Sequence, residues 1–269
     1  AREAGLSADL VHLADDADLM DMMVRAGFDT VFIGSETMDE ANLAECHKRQ
    51  NRHRDLLADI KRIQRAGLQV QAGFIVGFDN DTPSVFRRMT EFIQKSGIAT
   101  AMVGMLQAPL GTALYKRLDR EGRIRIDLSG DNSDGTTNIV PRMGLESLEA
   151  GYGSLLRDLY APTNYYRRVR TFLREYRPPK TNTRITRSHA LAVIRSFYHL
   201  CLAGRERWEY PGLLFWTLFR HPRSLPVAVV LAIYGYHYRM CYETFLSAVT
   251  PDSARARGHC HARPPRSAS

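Results

Sequence analysis

The chain has 269 residues, of which 44% are hydrophobic, 25% charged and 9% aromatic. That balance excludes a disordered tail, a collagen-like fibre and a small disulfide scaffold, and leaves room for one large domain or two smaller ones. The net charge of +8 is unevenly placed: residues 1–140 hold 17 Lys and Arg against 21 Asp and Glu (−4), and the remainder 20 against 8 (+12).

Such asymmetry predicts two domains with different partners. Nucleic acid, anionic lipid or an acidic ligand would each suit a basic half, and charge alone does not choose among them. Cys46, Cys201, Cys241 and Cys260 stand singly with no CxxC pair, so no disulfide framework or cysteine-only zinc site is expected, and a reducing, cytoplasmic setting fits. The sequence starts at Ala1 without an initiator Met or signal peptide, and an amino-terminal truncation is expected.

The first half alternates helix and strand signals. Asp15 to Ala26 places Leu19, Met20, Met23 and Val24 on one helical face, with Gly27 as terminator. Thr30 to Gly34 is a short apolar run expected to be a strand buried on both sides. A long helical stretch follows, ending with Leu56, Leu57, Ile60 and Ile63 before Gly67. Leu68 to Phe78 reads as the next strand, and Pro83 fits the first turn of a helix whose inner face is Phe86, Met89, Phe92 and Ile93, closed by Gly97. Thr100 to Leu106 is a third strand. It leads through the loop Gln107 to Thr112 into an amphipathic segment around Leu114 and Leu118.

Repeated strand–helix units at this spacing predict a parallel sheet, open or closed into a barrel, with chemistry at the carboxyl ends of the strands. Three segments fall on that edge: Gly34 to Thr37, Gly77 to Asp81, and Gln107 to Gly111. Three strands cannot close a barrel, so partner strands are missing or the sheet is small.

From about Ser129 the character changes. GDNSDGTTN is turn-rich, and Leu145 to Tyr160 and Tyr165 to Tyr176 read as helices. Pro178 to Thr183 resembles a linker. Ser188 to Ala203, Leu213 to Phe219 and Leu225 to Leu246 are helical and rich in Tyr, Phe, Trp and Arg. The stretch from Pro251 is expected to be disordered.

Glu36 is the sharpest single residue, because a carboxylate ending an apolar strand is costly unless paired or met by a ligand; a capping role is the plainer alternative. Gly73 and Gly77 mark either close approach of a ligand's flat ring or simple helix–strand packing, and do not form GxGxxG. Asp131 to Asn138 supplies no register of EF-hand ligands, so a turn with self-bonded Asn and Asp is expected there. Lys48, Arg49, Arg52, His53 and Arg54 form a solvated face or a phosphate contact. His259-Cys260-His261 is a weak metal pattern and is discounted.

Leu225 to Tyr236 is a 12-residue apolar run, short of the ~20 a spanning helix needs. A buried core helix is the default. An interfacial one is the alternative, since Trp208, Tyr210, Phe215, Trp216, Tyr234, Tyr236 and Tyr238 lie among Arg205, Arg207, Arg220, Arg223 and Arg239.

AGFDTVFIGSET, KRIQRAGLQVQAGFIVGFDNDTP, EFIQKSGIATAMVGMLQAPLGTALY and GDNSDGTTNIVPRM together resemble the carboxyl-terminal part of radical S-adenosylmethionine enzymes that carry an amino-terminal cobalamin-binding domain. YYRRVRTFLREYRPPK resembles the helical tail domain of one subgroup. The resemblance covers about residues 12–245. It implies an α/β fold, a partial parallel (βα) barrel over residues 1–128 followed by a mainly α-helical basic domain over 129–250, with 251–269 as a disordered tail. It also implies S-adenosylmethionine and a [4Fe-4S] cluster, with cobalamin in the full-length family, and radical methyl transfer or related chemistry on a small-molecule, lipid-like or tetrapyrrole-like substrate.

By residue, the family's GxET-like strand end corresponds to Gly34, Ser35, Glu36 and Thr37, implying polar contacts to the ribose or methionine part of S-adenosylmethionine. Its GxIxGF strand corresponds to Gly73, Ile75, Gly77 and Phe78, implying packing against adenine. The strand ending at Leu106 and Gln107 is similar to its last adenine-side strand. The departures are an absent CxxxCxxC, whose thiolates the four scattered cysteines cannot replace, an absent cobalamin domain, Ser35 where the family usually has Ile, and a poor match over residues 1–11, where an earlier strand is expected.

The expected protein is therefore a fragment of a longer radical enzyme, inactive alone. It holds no metal by itself and binds no nucleic acid, and it is cytoplasmic with peripheral membrane contact through its basic aromatic tail. The alternative is a noncatalytic module for a membrane or partner surface.

Overall fold

The computed structural model describes residues 5–8, 10–37, 39, 42, 54–125, 135–179, 196, 197, 200, 201 and 208–248. A parallel sheet is its centre, with the strands in chain order: β1 (Gly5–Ala8), β2 (Thr30–Glu36), β3 (Gln69–Val76) and β4 (Ala101–Met105). Three of these fall where the apolar runs predict them. The short β1, paired in parallel with β2 through Gly5↔Thr30 to Ala8↔Ile33, adds a fourth in the stretch where an earlier strand is expected.

The connecting helices are α1 (Leu10–Asp15), α2 (Ala17–Arg25), α3 (Leu56–Ala66) and α4 (Ser84–Ser96). The periodicity predicts a single helix over Asp15 to Ala26. That helix is α2, which starts two residues later because Asp16 caps it, its carboxylate accepting from the Leu19 N–H at 2.8 Å. Asp55 caps α3 in the same way through Ala58.

After β4 come α5 (Ala113–Arg120), α6 (Leu145–Tyr160), α7 (Pro162–Glu175), α8 (Glu209–Arg220), a 3-10 turn at Pro222–Ser224, and α9 (Leu225–Ala248). Ser188 to Ala203 lies largely outside the described residues, as does everything from Val249 onward.

The sheet is covered unequally. Val31, Ile33, Val70, Ala72, Phe74, Val76, Val103 and Met105 are buried against the helices. One hydrophobic core takes in this face together with Leu148, Leu156, Val169 and Leu173 of α6 and α7 and Leu213 and Leu231 of α8 and α9. The alternate residues of β2 and β3 are only half-buried. The expectation that β2 is buried on both sides is thus corrected: among the described residues no helix lies over its second face. Gly151 of α6 sits so close to Phe86 that a Cβ there would be 2.0 Å from the ring, which is why α4 and α6 approach as they do.

The outer edge of β4 is closed by side chains. Tyr152 O–H donates to the Val103 carbonyl at 2.9 Å and Tyr160 O–H to Ala101 at 2.7 Å. Arg168, fully buried, donates from Nη1 to Leu159 (2.9 Å) and from Nη2 to Ala99 (3.2 Å). Its guanidinium lies 5.1 Å from the Tyr165 ring centroid and 5.6 Å from that of Tyr160, so carbonyl dipoles and ring faces take the place of a carboxylate partner. Burial pulls the Arg168 pKa down and holds the Tyr160 hydroxyl well above its ordinary value, so that hydroxyl remains a donor.

In urea unfolding, Tyr160→Phe should cost about 1–2 kcal/mol for one lost hydrogen bond. Arg168→Leu, which strands two buried carbonyls, should cost about 3 kcal/mol or more. Equal effects from the two would contradict this account of the edge.

Candidate functional site

The carboxyl ends of β2, β3 and β4 share one edge, because the three strands are adjacent and parallel. On β2 the register with β3 breaks between Gly34 and Glu36, so that Gly34 pairs with Gly73 while Glu36 pairs with Phe74. Glu36 takes a positive φ of 41°, a conformation uncommon for a residue with a side chain. Glu36 is half-buried and its carboxylate folds back over the second face of the sheet with Oε2 shielded from solvent: a Cβ added at Gly34 would lie 2.6 Å from Glu36 Oε1. Phe32 lies similarly over Gly73, 3.2 Å from where a Cβ would be. Ile75 and Gly104, a bonded pair of β3 and β4, continue this face, and Met102 is 41% exposed beside Gly73. The result is a glycine backbone overlaid by the Glu36 carboxylate and the Phe32 ring, with apolar edges.

The other residues singled out by sequence lie elsewhere. Ser35 and Thr37 are buried on the helix side; Ser35 Oγ has no hydrogen-bond partner among the described residues, and Thr37 Oγ1 accepts from the Asp39 N–H at 3.1 Å. Beyond Thr37, a cleft of about 310 Å³ is lined by Thr37, Asp39, Val85, Arg88, Glu91, Phe92 and Lys95. Gly77 has φ 106° and packs on Leu148 of α6, whose Cδ2 would be 3.1 Å from an added Cβ, so packing is what the structure shows there. Phe78 belongs to a small cluster with Leu106, Ala108, Leu118 and Ile139. Gln107 is largely buried and donates from Nε2 to the Thr136 carbonyl at 3.0 Å. The structure therefore puts Glu36, Gly73 and Ile75 on one face, Ile75 also packing against the Phe78 cluster, and keeps Ser35, Thr37, Gly77, Phe78 and Gln107 in structural contacts around them.

Two aspartates that sequence reasoning placed on this edge without a role build its rim. Asp81 Oδ2 accepts from the N–H groups of Gly77 (2.8 Å) and Phe78 (3.1 Å), while Oδ1 accepts from Asn42 Nδ2 (2.7 Å). Burial pushes its pKa up, and these donors pull against it without cancelling it. Asp79 is gripped by Arg117 at 2.7 Å and Arg123 at 2.6 Å, with Arg142 at 3.8 Å. For Asp79 burial is the largest single influence and raises the pKa, yet the paired arginines together hold it below the ordinary value.

The β4 side of the rim is fastened by the turn-rich segment. Asn138 both donates to and accepts from the Ala108 backbone, at 2.9 Å each way, and Thr137 Oγ1 donates to the Leu106 carbonyl at 2.6 Å. Asn138 is therefore bonded across the rim and not to its own turn, which corrects the expectation for that residue. Asp131 and Asp134 lie outside the described residues. Of the basic run, Arg54 is described. It pairs with Asp15 (2.7 Å) and Asp59 (2.9 Å), a structural bridge from α1 to α3; Lys48, Arg49, Arg52 and His53 lie outside. Cys201 is buried and Cys241 exposed. Among the described residues no three His, Cys, Asp or Glu are grouped to hold a metal, and no helix is long and apolar enough to cross a membrane.

The family model described as "Domain of unknown function (DUF4070)" matches residues 112–250. An uncharacterized methyltransferase of Synechocystis is 41% identical over 167 residues, 61% of this chain and 31% of the relative. The hopanoid C-2 methylase of Rhodopseudomonas palustris is 33% identical over 48% of this chain and 24% of its own length. The bacteriochlorophyllide d C-12(1)-methyltransferase of Chlorobaculum tepidum is 23% identical over 56% and 33%. The matched stretches thus span a third or less of these curated relatives.

Asp79→Asn should lower stability at neutral pH by about 2 kcal/mol, since it leaves Arg123 and Arg117 facing each other across a largely buried site. Because the folded-state pKa of Asp79 is depressed, its contribution is present above the unfolded value of about 3.9 and is lost as pH falls through the folded value. The gap between wild type and variant in chemical denaturation should therefore close below about pH 4; a gap that stays constant into acid would exclude this assignment.

Proposed function

We propose, taking as premise that the chain belongs to the family defined by DUF4070 and is partly homologous to cobalamin-binding radical S-adenosylmethionine methyltransferases, that it is the carboxyl-terminal part of such an enzyme. The observation that carries the reading is the one-sided sheet. Helices cover one face, and the other presents glycine backbone and the Glu36 carboxylate at the carboxyl ends of parallel strands, where barrel enzymes build their sites. Because side chains cap the outer edge of β4, further strands of the same sheet would join beside β1. Residues 1–128 then supply sheet and rim, and 129–250 the helical cover that shares their core.

The uncovered face suits S-adenosylmethionine in part. The spaces over Gly34 and Gly73 are taken by the Glu36 carboxylate and the Phe32 ring, so Phe32 and Ile75 would give a flat ring its apolar contacts, and the Glu36 carboxylate would accept hydrogen bonds from ribose hydroxyls or the amino group. When bound, that molecule supplies the methyl and adenosyl groups of the family's chemistry. A [4Fe-4S] cluster does not fit the described residues: three thiolates must converge, and Cys201 and Cys241 stand apart, one buried and one exposed. The substrate class is lipid-like or tetrapyrrole-like, supported by the names of the hopanoid and bacteriochlorophyllide relatives.

Two measurements test this reading. Glu36→Gln should weaken S-adenosylmethionine binding about tenfold or more by calorimetry, the worth of a charge-assisted hydrogen bond; unchanged affinity removes Glu36 from the site. Anaerobic reconstitution of the 269-residue chain with iron and sulfide should yield no stoichiometric cluster spectrum, and its appearance would overturn the fragment reading.

A further inference from the structure

Among the described residues, the largest concentration of exposed apolar side chains lies far from the rim in sequence, on α8 and the helix that follows it. Tyr210, Leu213 and Thr217 are buried and anchor α8 to the core. Its opposite face carries Phe215 at 67% exposure, Leu218 at 51% and Phe219 at 69%, continued by the N-cap residue Trp208 at 83%. Trp208, Phe215 and Phe219 recur at intervals of seven and four and so fall along one line of a helix. The Phe215 and Phe219 rings are 4.5 Å apart, forming a continuous aromatic strip. On α9, Val230 and Ile233 are also exposed, at 38% and 40%. A patch of this extent on a surface marks an interaction site.

The charges around the strip say what it meets. Arg220 ends α8 and Arg223 lies in the turn to α9, both exposed. No Asp or Glu occurs between Glu209 and Glu243, and Glu209 is turned toward Arg170 at 3.8 Å. A protein partner is ordinarily met with both signs of charge; a strip of Trp and Phe whose Phe215 to Phe219 end is followed by arginines and no acidic residue is the pattern of a helix lying in the plane of an anionic bilayer. Neither α8 nor α9 is apolar and long enough to cross one, which leaves in-plane contact.

We propose that the α8–α9 hairpin docks on an anionic lipid surface, with Trp208, Phe215 and Phe219 entering the acyl boundary and Arg220 and Arg223 meeting headgroup phosphates. This docking is independent of the catalytic reading, since none of these residues lies at the strand edge.

The test is sedimentation of the full 269-residue chain with phosphatidylcholine vesicles, alone and with added phosphatidylglycerol. Binding should require the anionic lipid and weaken with salt. Each arginine at such a surface is worth about fivefold, so the Arg220→Gln, Arg223→Gln pair should bind about 25-fold more weakly. Phe215→Ser with Phe219→Ser should lose about tenfold or more, with an unchanged unfolding midpoint because both side chains are exposed. Equal binding to neutral vesicles, or retention of binding by the phenylalanine pair, overturns the proposal. So does a chain that ignores vesicles but dimerises through the same two phenylalanines, which would assign the strip to a second copy.

Discussion

The fold depends on how the outer edge of β4 is satisfied. A sheet edge presents unpaired carbonyls that are costly inside a protein and adhesive outside it. Here two tyrosine hydroxyls and one guanidinium reach from α6 and α7 to Ala99, Ala101 and Val103. The reach draws the helical part onto the sheet, and the hydrophobic core continues across the junction from Val103 to Leu156 and Val169. Arg168 is the unusual member, because a buried cation without a carboxylate is tolerated only where carbonyl dipoles and aromatic faces replace water. With one face and one edge taken up by the helices, the remaining face is left for the Glu36 carboxylate and the glycines.

The rim is held by comparably few groups. Asp81 ties the β3 end to Asn42, and Asp79 ties it to α5 and the segment after it through Arg117 and Arg123. The two carboxylates stand two residues apart yet their pKa values move in opposite directions, because burial of Asp81 outweighs its neutral amide donors whereas burial of Asp79 is outweighed by paired guanidinium groups. Both serve to hold the strand ends in place, which lets Glu36 keep a strained backbone at the neighbouring strand.

Much of this was legible in the sequence. Apolar runs gave β2, β3 and β4, and a 3.6-residue period gave α6 over the residues observed. β1 was not legible, because Gly-Leu-Ser-Ala carries neither alternation nor length and is a strand only by pairing with β2. The burial of Arg168 was also hidden: within Tyr-Tyr-Arg-Arg it reads as surface charge, and its acceptors are carbonyls that folding alone brings near. Glu36 was visible as a carboxylate ending an apolar strand. That Ser35 and Thr37 point to the helix side follows from the side-chain alternation of the strand around the register break, a signal available in the period of two but masked by the bulge.

Because the groups that cover β4 follow it in the chain, synthesis on the ribosome exposes a vulnerable interval. Once Val103 has emerged, its strand can pair with β3, but Tyr152, Tyr160 and Arg168 have yet to be made. During that interval the nascent sheet shows a bare edge to other chains. Translation of the helical part is thus the step that turns an adhesive intermediate into a protected one.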